Sequence, residues 1–172
     1  MVRDLLTDWA LAEHQIPDSQ FGFCPTRNTN QPLFILRHIL ATAEKWKMKV
    51  YIAFLFFFAA CDSVPREKLW RHLQNIMTPQ HLRDIVQSIL TGCLYLLISG
   101  DNTNEEVALN RSLKQGYPLS PLLYSLYSND MDIILSVQRG AATALHSVQM
   151  SNCDYDDDTA ITSVTAESLQ IY

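Results

Sequence analysis

Apolar residues recur at close to helical spacing near the start of the chain, where Leu5, Leu6, Trp9, Ala10 and Leu11 fall within Asp4 to His14. Pro17-Asp18-Ser19 breaks that pattern, and Gln20-Phe21-Gly22-Phe23-Cys24-Pro25 follows as a compact apolar turn segment. A second helix is predicted from about Asn30. Pro32 falls in its first turn, where the missing N–H costs nothing. Leu33, Leu36, Ile39, Leu40 and Ala43 mark its buried stripe. Lys45, Lys47 and Lys49 crowd its end, where cations suit the helix dipole.

The longest apolar run is Val50 to Cys61, with Tyr51-Ile52-Ala53-Phe54-Leu55-Phe56-Phe57-Phe58 at its heart. It is too short to span a bilayer as a helix, which needs about 20 residues. Val50 to Leu55 therefore reads as a buried central strand leading into a turn. Pro65 and Thr78-Pro79 open two further helices, near Pro65–Asn75 and Pro79–Leu90, and Gly92 ends the second. Cys93 to Ser99 and Glu105 to Asn110 flank Gly100-Asp101-Asn102-Thr103-Asn104, a hairpin signal. Ser120 as N-cap and Pro121 in the first turn start a helix that runs to about Ser136. Two strand-like stretches, Ser147 to Cys153 and Thr159 to Val164, bracket Tyr155-Asp156-Asp157-Asp158. The pattern is α+β: a small antiparallel sheet packed by helices.

Composition narrows the function classes only slightly. At 172 residues the chain is one domain or part of one, and 48% apolar content supports a real core. A net charge of −5 argues mildly against a stand-alone nucleic-acid binder, although a basic face can sit beside an acidic site. Cys24, Cys61, Cys93 and Cys153 are scattered without a C-x-x-C pair, so they read as free thiols. No cationic-then-apolar leader precedes them, and an intracellular protein without a membrane span is expected. His14, His38, His72, His81 and His146 show no ligand spacing and read as surface or helix-end residues. Trp9, Trp46 and Trp70 read as core or half-buried anchors.

Chemistry concentrates in the acidic run. Three adjacent carboxylates repel one another unless a cation or partner offsets them. Paired carboxylates on a strand-turn-strand element commonly present divalent metal to phosphate. A calcium loop is the weaker alternative. Asp154, Asp156 and Asp158 match its first acidic positions, but Thr159 and Thr165 stand where Gly and Glu are required. The string Gln115-Gly116-Tyr117-Pro118-Leu119-Ser120-Pro121-Leu122-Leu123 feeds a turn into a capped helix, and Gly116 would let backbone approach a ligand.

These motifs together resemble the reverse transcriptases of non-LTR (LINE-type) retrotransposons. Gln115–Leu123 is similar to that family's template- and nucleotide-positioning motif. Tyr155-Asp156-Asp157-Asp158 is similar to its Tyr-Ala-Asp-Asp signature. Gln20-Phe21-Gly22-Phe23, with Pro25, Arg27 and Thr29, resembles the segment leading into the fingers–palm junction. Phe54 through Trp70 resembles the first palm strand and the helix after it. The resemblance implies a polymerase palm with partial fingers, about 1–49 fingers remnant and 50–172 palm, and no thumb. It implies RNA-directed DNA polymerisation with an RNA template, a DNA primer, dNTP substrates, Mg²⁺ and a nuclear or cytoplasmic location. Asp157 would bind both metals and Asp158 would be the secondary carboxylate. Gln115, Gly116, Pro118 and Cys61 would position nucleotide and template, and Arg27 and Lys114 would contact nucleic acid.

The chain departs from the family pattern on the first palm strand. Phe56 occupies the position of the metal-binding Asp, Phe58 that of a common Lys, and Cys61 that of an aromatic that screens the sugar 2′-position. Asp62 is retained as a local structural residue. Cys24 replaces an Arg, and Asp156 replaces a small residue beside the metal carboxylates. Activity is therefore expected to be lost. The alternative is a non-enzymatic remnant that binds RNA or protein through a basic face of Lys45, Lys47, Lys49, Arg66, Lys68 and Arg71.

Overall fold

A computed structural model describes residues 1–91, 95–98, 104–107, 111–138, 144–145, 148–149 and 152–169. It divides into two compact units that interleave along the chain. Among the described residues, no helix is long and apolar enough to cross a membrane.

The first unit comprises Met1–Gln15 and Ala59–Tyr127. Helix α1 (Val2–Ala12) buries Leu6 and Ala10. A short helix α3 (Ala60–Ser63) leads into α4 (Arg66–Asn75), and α5 (Gln80–Thr91) follows. Leu82, Val86 and Leu90 repeat every fourth residue on α5, so they form one buried stripe. Leu69 and Leu73 on α4 are fully buried. Removing such a side chain from water stabilises by about 1.5–3 kcal/mol. Two of the expected surface groups are buried here. His72 faces inward from α4, with its ring edge-on to Tyr127 at 6.5 Å between centroids. Arg66 is buried and donates from Nε to the Ser112 carbonyl at 3.2 Å, so it belongs to no solvent-facing basic patch. Strands β2 (Tyr95–Ile98) and β3 (Asn104–Val107) pair antiparallel, as the hairpin pattern predicts. Gly100, Asp101, Asn102, Thr103 and Cys93 lie outside the described residues.

The second unit comprises Ile16–Phe58 and Ser128–Tyr172. It contains α2 (Asn30–Trp46), β1 (Tyr51–Phe56), the two-residue strands β4 (Ala144–Leu145) and β5 (Val148–Gln149), β6 (Asn152–Tyr155) and β7 (Asp158–Ser163). Helix α6 (Ser120–Gln138) spans residues of both units. The main sheet has the order β1-β7-β6, antiparallel throughout. Helix α2 sets Ile35 and Leu36 against Phe21, Cys153 and Ala160, and buries Ile39 and Ala43.

Two sequence expectations are corrected in this unit. Among the described residues the middle strand is β7, and β1 stands at one side of the sheet. The apolar run is not a buried strand, because Phe54, Phe56 and Phe58 are 73%, 82% and 95% exposed. An unbroken apolar run shows that a strand can be buried on both faces; it does not show that both faces are covered. The stretch Ser147 to Cys153 is described only in part. Val148–Gln149 lies in β5 and Asn152 and Cys153 lie in β6, with Ser147, Met150 and Ser151 outside the described residues.

Candidate active site

Strands β6 and β7 meet in a two-residue hairpin, with Tyr155 paired to Asp158 and Asp156-Asp157 forming the turn. Asp156 has φ 60 and Asp157 has no positive φ, the pattern of a II′ hairpin turn. Glycine is the usual residue at that position of such a turn. Asp156 Oδ1 is buried and has no hydrogen-bond partner among the described residues. Burial, then the charges of Asp157 and Asp158, push the Asp156 carboxyl up from 3.8 to about 6. A raised carboxyl favours the fold most below its unfolded value, and that contribution is lost as pH rises through about 6. Asp156→Asn keeps the turn conformation and removes the charge. It is expected to raise stability by about 1–2 kcal/mol above that pH, a figure discounted for residual solvent access. Urea unfolding from pH 4 to 8 checks this, with a flatter profile expected for the variant.

Phe56 sits directly across the ladder from Asp158, and Phe54 across from Ala160. Residues opposite one another in a ladder share a face. Phe54, Phe56, Asp158 and Ala160 therefore line one side of the sheet, together with Tyr155 and Cys153, their counterparts on β6. A cavity of about 500 Å³ lies between this face and α2, walled by Pro32, Leu33, Leu36, Phe54, Phe56 and Asp158 among others. Cys153 is buried there, and desolvation pushes its thiol up to about 11. Asp154 lies buried within β6 and accepts a 2.7 Å hydrogen bond from Asn152, so it is not a loop carboxylate.

Arg27 is engaged by its own loop. Nη1 donates to the carbonyls of Pro17 at 2.7 Å and Gln20 at 2.5 Å, and Nη2 reaches Asp18 Oδ1 at 3.1 Å. The same loop touches the acidic turn through Gln20 and Gly22, a contact that sequence reasoning missed. The signal was the Gln-x-Gly spacing: a buried amide beside a residue without Cβ marks a close backbone approach.

In the first unit, Cys61, Lys114, Gln115, Gly116 and Pro118 come together around one turn. Leu113 N–H donates to the Cys61 carbonyl at 2.8 Å, and Ser112 N–H to the Val64 carbonyl at 3.0 Å. Ser112 Oγ also donates to Asp62 at 3.1 Å, which gives Asp62 a structural partner. Tyr117 N–H closes the turn on the Lys114 carbonyl at 3.1 Å, with Gly116 in its third position at φ 80. That is the geometry of a type II turn, which demands a positive φ there. A Cβ at Gly116 would meet nothing within 4 Å, so the glycine serves the backbone angle. Gly116→Ala is expected to cost about 1 kcal/mol from backbone strain alone, readable by urea denaturation. Gln115, Gly116 and Pro118 are exposed, and Lys114 Nζ lies 5.9 Å from the Tyr117 ring centre. Ser120 was expected to cap α6; its hydroxyl instead donates back to the Lys114 carbonyl at 2.6 Å.

Residues 1–172 match the family described as reverse transcriptase (RNA-dependent DNA polymerase). The chain belongs to the reverse transcriptase family. It is 28% identical over 152 residues to the Retrovirus-related Pol polyprotein from type-2 retrotransposable element R2DM of Drosophila melanogaster, covering 88% of the chain and 14% of that protein. It is 21% identical over 127 residues to the Pol polyprotein from type-1 retrotransposable element R2 of Popillia japonica, covering 73% and 21%. These relatives, Pol polyproteins of R2 retrotransposable elements, support a reverse transcriptase domain of the non-LTR kind. The chain spans only about a seventh to a fifth of their length. Its fold is similar to Candida tropicalis telomerase in apo form, with TM-score 0.66 and 13% identity over 98% of the chain and 34% of the telomerase. It is likewise similar to Candida tropicalis telomerase in complex with the TWJ fragment of telomeric RNA, with TM-score 0.70 and 13% identity over 98% and 29%. The architecture is thus the α+β, palm-like fold of reverse transcriptases.

Polymerases of this family use divalent metal. Asp157 and Asp158 offer two adjacent carboxylates at the hairpin. The position across the ladder offers a phenyl ring, which has no lone pair for Mg²⁺. Among the described residues no group of three His, Cys, Asp or Glu side chains is placed to hold a metal ion. The described residues do not fit a two-metal centre.

Proposed function

We propose that this reverse transcriptase domain keeps the acidic hairpin of a polymerase and has lost nucleotide addition. The observation that carries the reading is Phe56 facing Asp158, where the family resemblance calls for a metal-binding carboxylate. Phosphoryl transfer depends almost entirely on positioning and charge neutralisation. Removing one electrostatic group at a reacting centre costs about 10²–10³-fold. Asp157 and Asp158 are the surviving carboxylates. The exposed turn at Gln115, Gly116 and Pro118, with Cys61 behind it, is the nucleotide- and template-facing element. Lys114 is the adjoining nucleic-acid contact, and Arg27 supports its own loop. Residues 1–49 are the fingers remnant and 50–172 the palm, with the family's RNA template, DNA primer and dNTP as ancestral partners and a nuclear or cytoplasmic setting. Primer extension with Mg²⁺ and dNTPs tests this, with no incorporation above background expected. Robust incorporation by this chain would overturn the reading.

A second reading, an RNA-binding remnant, is favoured by the exposed Lys45, Lys47 and Lys49 at the end of α2. The telomerase relative described with an RNA fragment points the same way. RNA binding that weakens steeply with salt, and weakens further when the lysines are replaced by alanine, would support it.

A further inference from the structure

The acidic turn does not hold itself in place. In a hairpin, the ladder satisfies strand amides, and the first turn residue's N–H is left to find an acceptor elsewhere; a buried N–H without one is costly. Here the acceptor comes from a residue 136 positions away. Gln20 is 3% exposed, and its Oε1 accepts from the Asp156 N–H at 3.0 Å and the Gly22 N–H at 2.8 Å. Its Nε2 points to the Asp156 carbonyl at 3.5 Å. Backbone bonds extend the contact. Phe21 N–H donates to the Asp154 carbonyl at 2.7 Å, and Asp154 N–H donates to the Ser19 carbonyl at 2.8 Å. Gln20 and Asp154 thus form a parallel bridge along β6.

Gly22 completes the seat. A Cβ there would lie 2.4 Å from the Asp156 nitrogen and 3.1 Å from its Cα. No side chain fits without displacing the turn, and Gly22 has no positive φ that would otherwise explain a glycine. The loop is closed before it meets the turn, because Arg27 binds the carbonyls of Pro17 and Gln20. One chain of contacts therefore runs from Arg27 through the Gln20 backbone and side chain to Asp156.

We propose that Gln20 and Gly22 form a saddle that sets the height and orientation of the acidic turn, making Gln20 a positioning residue for Asp157 and Asp158. This rests on reading that turn as the polymerase-derived carboxylate site. The amide chemistry accounts for the residue type. One oxygen with two lone pairs serves two N–H donors, and the NH₂ faces a carbonyl. A glutamate of the same length would lose the donor and add charge beside three aspartates. An asparagine is one methylene too short.

Amide hydrogen exchange followed by NMR tests the assignment on the full chain. Gln20→Met keeps the volume and removes the acceptor. It is expected to speed exchange at Gly22 and Asp156 by about tenfold, the equivalent of one hydrogen bond. The amides at the centre of β7 should be unchanged. Unchanged exchange at Asp156 would overturn the saddle. Equal acceleration at Asp156 and in β7 would also overturn it, reducing Gln20 to an ordinary core residue. Gly22→Ala is the independent arm, expected to shift the amide resonances of Asp156, Asp157 and Asp158 while leaving Ala160 and Ile161 in place. If Gly22→Ala does not fold, Gln20→Met decides the matter alone. Neither readout involves polymerisation, so incorporation by the unmodified chain would overturn the functional proposal and leave this result standing.

Discussion

Phe56→Asp is expected to bind Mn²⁺ or Mg²⁺ about 10–100-fold more tightly than the unmodified chain. The introduced carboxylate would face Asp158 across the β1–β7 ladder and adjoin Asp157 at the turn. A contact to a charged group is worth about 1.5–3 kcal/mol, which sets that range. The substitution should not disrupt the core, because Phe56 is 82% exposed and leaves no cavity behind. Its cost is electrostatic. Like charges opposite one another in an antiparallel pair destabilise by up to about 1 kcal/mol. The variant should therefore melt slightly lower in EDTA and recover when metal is added. Calorimetric titration with Mn²⁺ measures the affinity, and Phe56→Ala separates loss of the ring from gain of the carboxylate. If Phe56→Ala and Phe56→Asp bind equally, position 56 is not the missing ligand.

Ile161→Ala is expected to destabilise the second unit by about 2–5 kcal/mol. Ile161 is fully buried in the middle of β7, paired with Ala53 on one side and Asn152 on the other. Truncating it removes apolar contacts and opens a cavity in the strand that carries Asp158. A loss of about 3 kcal/mol lowers Tm by roughly 6–12 °C for a chain of this size. Ile161→Val should cost only about 1 kcal/mol. Phe54→Ala, on a strand at the side of the same sheet, should change stability little, since that ring is 73% exposed. Thermal unfolding of the three variants checks the order. A Phe54→Ala loss as large as that of Ile161→Ala would contradict the placement of β7 at the centre.

What the sequence revealed is what local physics decides. Helix α1 announced itself through apolar spacing, and α2, α4 and α5 through the prolines at their starts, with bounds within about two residues of those expected. The acidic hairpin was legible because charge and strand pattern coincide there. The misreadings all turn on tertiary context. Nothing local separates a phenylalanine that packs from one that points outward, so β1 read as buried. Nothing local tells that His72 and Arg66 face inward. The four-residue α3 has no room for a periodic signal. The hydroxyl of Ser120 had two possible partners, and the neighbouring carbonyl of Lys114 won. Gln20 was visible as part of a motif, but its target in the turn could be found only once the chain had folded back on itself.

The exposed side of β1 has a consequence for how this protein behaves in company. Among the described residues β1 pairs only with β7, and no described strand pairs with its other edge, beside Phe54 and Phe56. Sheet proteins guard such edges with charge, because a buried charge in a strand-to-strand stack of two molecules is prohibitive. A carboxylate at position 56 would be such a gatekeeper, repelling its own copy at the spacing of neighbouring strands. Phe56 supplies no such guard, and the exposed rings of Phe54, Phe56 and Phe58 form an apolar row suited to self-association. Position 56 thus bears on two properties at once, the charge offered to a cation and the face offered to a second copy of the chain.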